Sequence, residues 1–99
     1  MAKHKHDDES EPKRVAFMHG EIKTPPFSEN ARREAGRLIR RLQDGELLRM
    51  PSAEPLPIVG PRCGALRIRD DQHNWRIIYR VDATEVLIVD VTTVPLKVE

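Results

Sequence analysis

Four arginines fall within the fifteen residues LRIRDDQHNWRIIYR, Leu66 to Arg80. Each offers a planar, permanently charged fork that pairs with phosphate or carboxylate oxygens. Arg67 and Arg69 are two residues apart, so in a strand they leave from the same face. If the next segment folds back as a hairpin, Arg76 lies across from them or diagonal to them. Like charges placed this way repel one another, and a bound anion would offset that repulsion. Asp70 and Asp71 stand beside the cluster and can neutralise part of it. A face that grips phosphate and a merely solvated face both fit these residues.

A cationic face of this kind also suits RNA cleavage, in which the 2′-hydroxyl attacks the neighbouring phosphate. Arginines would offset the charge that grows on the phosphorane oxygens. A second group must move protons to and from the sugar oxygens, and Tyr79, His73 and the nearby carboxylates are the candidates. His73 is expected in an exposed turn. Cys63, the only cysteine, has no base beside it in sequence. His4 and His6 are too few for a metal site. The chain has no glycine-rich phosphate loop, no paired-cysteine metal motif and no His-Glu-x-x-His. Neither a metal nor a cofactor is expected.

The setting is a chain of 99 residues, enough for one small domain. With 38% hydrophobic and 33% charged residues it is expected to fold rather than remain disordered. No apolar run approaches the roughly 20 residues of a membrane span. With no apolar leader and one cysteine, a cytoplasmic protein is expected. The net charge of +1 is unevenly spread: from Ala31 to Arg80 there are eleven arginines and six acidic residues.

Several elements must position these groups. Residues 1–14 read as a charged flexible tail, and 15–99 as the single domain. VAFMHG, Val15 to Gly20, reads as a first strand, and Pro25-Pro26 enforces an extended connection. A helix is predicted over about 28–44, capped by Ser28, with Glu29 in its first turn, and stopped at Gly45. Ala31, Ala35, Leu38, Ile39 and Leu42 make its apolar face, and Arg33, Arg37, Arg40 and Arg41 line the other side. Gly36, in mid-helix, is expected to pack closely against a sheet. Gly45 to Gly64 reads as a long proline-rich loop, with room for a short helical turn near Leu47 to Met50. Three strands follow. In ALRIRD, Leu66 and Ile68 oppose Arg67 and Arg69; in NWRIIYRV, Trp75, Ile77, Tyr79 and Val81 oppose Arg76, Ile78 and Arg80. EVLIVDV, Glu85 to Val91, reads as a central strand covered on both faces. The expected fold is α+β: a short N-terminal strand, one main helix on one sheet face, and a three-stranded antiparallel meander.

The segments HGEIKTPPFSENARREAGRLIRRLQDGE, MPSAEPLPIVGPRCGALRIRD and WRIIYRVD, between His19 and Val91, together resemble the phage-derived, HigB-like branch of the RelE/HigB superfamily. Members are small α+β toxins of type II toxin–antitoxin systems. The resemblance implies a RelE-like fold and a ribosome-dependent mRNA endonuclease (an mRNA interferase) that works by 2′-hydroxyl attack without a metal. It implies mRNA and the ribosome as partners, together with a cognate antitoxin carrying a DNA-binding domain of helix-turn-helix type. By motif, Arg69 matches the strand arginine at the scissile phosphate and Arg76 a second basic position. Arg67 is their neighbour on the same face, and Tyr79 matches a recurrent aromatic. Arg33, Arg37, Arg40, Arg41 and Arg80 are then the expected RNA-binding surface. Relatives usually continue past the last strand with a Phe-x-Lys-Lys-Thr-like motif and a closing helix. Here TTVPLKVE follows instead, where Pro95 blocks a helix and Lys97 is the only basic residue. That departure is expected of a truncated or divergent relative. It keeps open a catalytically inactive one that binds antitoxin or RNA without cleaving. A structural protein merely solubilised by its arginines is a third option.

Overall fold

In the computed structural model of the chain, residues 12–18, 27–70 and 73–95 are described. Helix α1 (Glu29–Gln43) begins after Ser28, whose extended backbone (φ −67°, ψ 169°) turns its hydroxyl onto the first turn. The Ser28 Oγ accepts the Ala31 N–H at 3.0 Å and satisfies one of the donors that a helix start leaves unpaired. At the other end Gly45 takes φ 90°, a left-handed conformation in which a side chain is strained. Ala31, Ala35, Leu38 and Leu42 are buried, as their spacing predicts, and Ile39 flanks them. Gly36 departs from expectation. It is exposed, and a Cβ there would meet nothing within 4 Å. Close packing therefore does not account for it, and no other feature of the fold does.

The strands are β1 (Arg14–Phe17), β2 (Ala53–Pro55), β3 (Cys63–Arg69), β4 (His73–Val81) and β5 (Glu85–Pro95). They form a five-stranded sheet in the order β1-β5-β4-β3-β2. β3, β4 and β5 are the expected antiparallel meander, and β2 adds to β3, also antiparallel. β1 is shorter than expected and runs parallel to β5, so the sheet is mixed. The architecture is α+β, with α1 packed against β3 and β5.

Three expectations are corrected. The loop from Gly45 to Gly64 contains β2, an edge strand whose terminal Pro55 needs no ladder donor. Leu47 to Met50 forms no helical turn. The chain turns at Met50–Ser52, through a cis Met50-Pro51 peptide, and enters β2. β5 is not buried evenly on both faces: Val86 and Ile88 are buried, while Leu87 and Val89 are partly exposed. Its pairing shifts there, with Ile78 facing Asp90 but Tyr79 facing Ile88, which leaves Val89 as an extra residue. Such a bulge breaks strict alternation and lets a nearly continuous apolar run lie on a sheet covered mainly on one side.

The core lies between α1 and that covered face. Leu38 and Leu42 share one buried cluster with Leu66, Ile68, Trp75, Ile77, Tyr79, Val86 and Ile88. Residues 1–11 of the expected tail, with His4 and His6, lie outside the described residues, as do Pro25-Pro26, Asp71 and Lys97; at the tail's end the Lys13 N–H donates to the Gln43 carbonyl and Arg14 opens β1. Among the described residues no helix is long and apolar enough to cross a membrane.

Candidate nucleic-acid interface

Register brings the strand arginines together. Arg67 faces Arg76, and Arg69 faces Asn74. The Arg67 N–H donates to the Ser52 carbonyl at 2.9 Å, away from β4. Arg67 and Arg76 are thus a non-hydrogen-bonded pair, the type whose Cα atoms approach to about 4.5 Å. Arg69 is diagonal to Arg76, at about 7–8 Å in such a ladder. All three are exposed, on the face away from α1. The same alternation turns the Arg69 N–H and C=O toward the β2 side, where β2 has already ended. A groove of about 650 Å³ opens at this edge, which no strand of the described residues covers. Arg67, Arg69, Asn74 and Arg76 line it from the strands, and Ile68 and Trp75 reach it. Asn30 and Glu34 of α1 and the Pro51-Ser52 turn complete it.

Ion pairing separates the arginines expected to bind RNA from those that line the groove. Arg33 pairs with Glu29 at 2.9 Å, Arg37 with Glu34 at 2.9 Å, and Arg40 with Asp44 at 3.5 Å. Arg41 pairs with Glu46 at 2.9 Å, and Arg80 with Asp82 at 3.1 Å. The hydrogen bonds to Glu34 and to Asp82, and then the charges of those carboxylates, raise the pKa of Arg37 and Arg80 above that of an ordinary arginine. These exposed pairs add little stability, but they cancel charge locally. The whole set expected to bind RNA is neutralised in this way. Among the described residues no carboxylate forms an ion pair with Arg67, Arg69 or Arg76. The Arg67 Nη1 donates to the Met50 sulfur at 3.4 Å, a neutral acceptor.

Tyr79 and His73 are not brought to this face, whereas register puts Glu54 and Asp90 on it. Tyr79 is 6% exposed and belongs to the core. Residues 75, 77 and 79 of β4 point toward α1, so Tyr79 projects from the face opposite the arginines. Its hydroxyl fills the space over Gly64, where an added Cβ would lie 2.6 Å from it. Burial, and then the nearby Cys63, push the phenol pKa above its usual value. His73 is not in a turn. It opens β4 on the core side, with its ring 5.8 Å from that of Trp75. Cys63 is on the arginine face but faces Arg80, at the far end of β3. Asp70 accepts the Ser28 N–H and the Trp75 indole N–H.

Glu34 is the residue that spacing did not single out. It lines the groove from α1 while both of its oxygens accept from Arg37, at 2.9 and 3.1 Å. Asn30 and Glu34 are four residues apart, beside the apolar positions Ala31, Ala35 and Leu38. Helical spacing therefore signals that they share an edge of the buried face. Among the described residues no three His, Cys, Asp or Glu side chains form a group that could hold a metal ion. No protein-family model, curated protein or solved structure matches the chain.

Proposed function

We propose that the chain is a toxin of the RelE/HigB type, whose arginine groove holds the backbone of ribosome-bound mRNA for cleavage. One observation carries this reading: Arg67, Arg69 and Arg76 line one groove with no ion-paired carboxylate among the described residues, whereas Arg33, Arg37, Arg40, Arg41 and Arg80 are paired. In the reaction the 2′-oxygen forms a bond to phosphorus and the bond from phosphorus to the 5′-oxygen breaks. The 2′-hydroxyl loses its proton, and the departing 5′-oxygen takes one from solvent water, to which the proton held by the base is later returned. A 2′,3′-cyclic phosphate and a 5′-hydroxyl result. The three guanidinium groups hold the non-bridging oxygens and offset their growing charge. Glu34 receives the 2′-hydroxyl proton; a carboxylate has about four acceptor sites, so the Arg37 fork does not exhaust them. A cognate antitoxin with a DNA-binding domain restrains the protein in the cytoplasm.

Inducible expression tests this reading. The wild type should arrest growth and cleave translated mRNA, and Arg69→Ala with Arg76→Ala should do neither. If the wild type does neither, the enzyme reading is wrong. A second reading, binding without cleavage, is favoured by the position of Tyr79 and His73 on the other face and by the grip of Arg37 on Glu34. It requires salt-dependent RNA retention by a protein that leaves mRNA intact. A purely solubilising role for the arginines requires no such retention.

A further inference from the structure

Asp70 follows Arg69 directly in the chain, and three elements of the groove meet on it. Its Oδ2 accepts the Ser28 N–H at 3.0 Å and the Trp75 Nε1–H at 3.2 Å. Its own N–H donates to the His73 carbonyl at 3.0 Å and closes the β3–β4 hairpin. Ser28 heads α1, which supplies the Asn30 and Glu34 wall. Trp75 belongs to β4 and is itself held edge-on by Phe27, with ring centroids 4.9 Å apart. The carboxylate also sits at the N-terminus of α1, where the helix dipole favours negative charge.

The three arginines depend on this knot to different degrees. Arg67 is fixed by ladders on both sides, through Ser52 and through β4. Arg76 lies inside the sheet, between β3 and β5. Arg69 is the last residue of β3, past the end of β2, with β4 on one side only. Its position is set by whatever fixes the hairpin end.

We infer that Asp70 is a positioning residue. By tying the start of α1 and the Trp75 indole to the end of β3, it sets the separation of the groove walls and holds Arg69 in line with Arg67 and Arg76. It does not touch the ligand. The inference rests on the groove binding RNA.

The test is the affinity of a labelled single-stranded RNA, followed by anisotropy across a salt series, for wild type, Asp70→Asn, Asp70→Ala, Arg69→Ala and the Asp70→Ala/Arg69→Ala pair. Asp70→Ala should weaken binding about tenfold at low salt, as one misplaced charged contact would. It should also shallow the log–log salt slope by about 0.7, the equivalent of one phosphate on a single strand. Asp70→Asn keeps an acceptor oxygen and should restore both. Adding Asp70→Ala to Arg69→Ala should change neither, because the two residues act through one contact. A merely stabilising carboxylate would lower the melting temperature and leave the slope of the folded variant untouched. If Asp70→Ala does not fold, Trp75→Phe removes the indole bond and keeps an aromatic ring, and a partial loss of slope is expected. A folded Asp70→Ala or Trp75→Phe with wild-type affinity and slope overturns the inference alone, as do additive losses with Arg69→Ala. A wild type that binds no RNA overturns the RNA reading and the inference together.

Discussion

Arg76→Gln should make the protein more stable and a poorer RNA binder at once. Arg76 faces Arg67 in a non-hydrogen-bonded pair, and no carboxylate among the described residues forms an ion pair with either. With guanidinium groups about 7 Å apart in a water-like dielectric, the repulsion is about 0.6 kcal/mol. That value lies within the roughly 0.2–1 kcal/mol range of cross-strand pairs. Glutamine keeps most of the stem and removes the charge, so relief of about 0.5 kcal/mol should raise the melting temperature by about 2–4 °C in a domain of this size. The gain should disappear near 1 M salt, where screening acts over about 3 Å. Over the same range the RNA salt slope should shallow by about 0.7. Arg40→Gln is the control. It removes a charge that Asp44 already balances, so it should not raise the melting temperature and should leave the slope alone. Thermal melts at low and high salt, with anisotropy on the same samples, measure all of this. A melting temperature that falls in Arg76→Gln, or a gain that persists at high salt, refutes the repulsion. An unchanged RNA slope refutes its link to a phosphate site.

Glu34→Gln should abolish RNA cleavage while RNA binding is retained, as resolved products and anisotropy will show; cleavage at the wild-type rate removes Glu34 from proton transfer. Gly36→Ala should stabilise by about 0.5–1 kcal/mol, because the site is helical and open around a Cβ. Gly64→Ala should cost about 1–3 kcal/mol, since the new methyl meets the Tyr79 hydroxyl at 2.6 Å and the Glu54 carbonyl at 3.1 Å; chemical denaturation separates the two. The buried Tyr79 phenol has a folded-state pKa above its unfolded value. Its contribution is therefore fully present below about pH 10, the unfolded tyrosine value, and is lost as pH rises through the folded pKa. Tyr79→Phe should flatten that alkaline loss without altering RNA binding, as melts against pH will report.

Helix α1 and the β3–β4 hairpin were legible because their signals are local. Ser28, Gly45 and the spacing of Ala31, Ala35, Leu38 and Leu42 bound the helix to within a residue at each end. Alternation divided Leu66 and Ile68 from Arg67 and Arg69, and Trp75, Ile77 and Tyr79 from Arg76. β2 was hidden because three residues in a proline-rich stretch become a strand only by pairing with β3. The parallel partnership of β1 and β5 joins residues about seventy apart and has no local mark. The Val89 bulge was hidden because Val89 continues the apolar run from Val86 to Ile88, and nothing local marks it as the extra residue. For the site, alternation gathered the three strand arginines and placed Tyr79 on the core side. The pairing of the helix arginines with carboxylates was also present in the spacing of Glu29 with Arg33, Glu34 with Arg37 and Arg40 with Asp44. Assigning those arginines to RNA by resemblance passed over it. The groove wall of Asn30 and Glu34 depends on how α1 docks, which no local pattern states.

The account turns on which arginines hold phosphate. The direct measurement is the salt slope of RNA affinity for two multiple variants, Arg67→Gln/Arg69→Gln/Arg76→Gln and Arg33→Gln/Arg37→Gln/Arg40→Gln. The strand variant should lose about 2 units of slope and the helix variant almost none. A steep loss in the helix variant, with the strand variant close to wild type, would contradict the account.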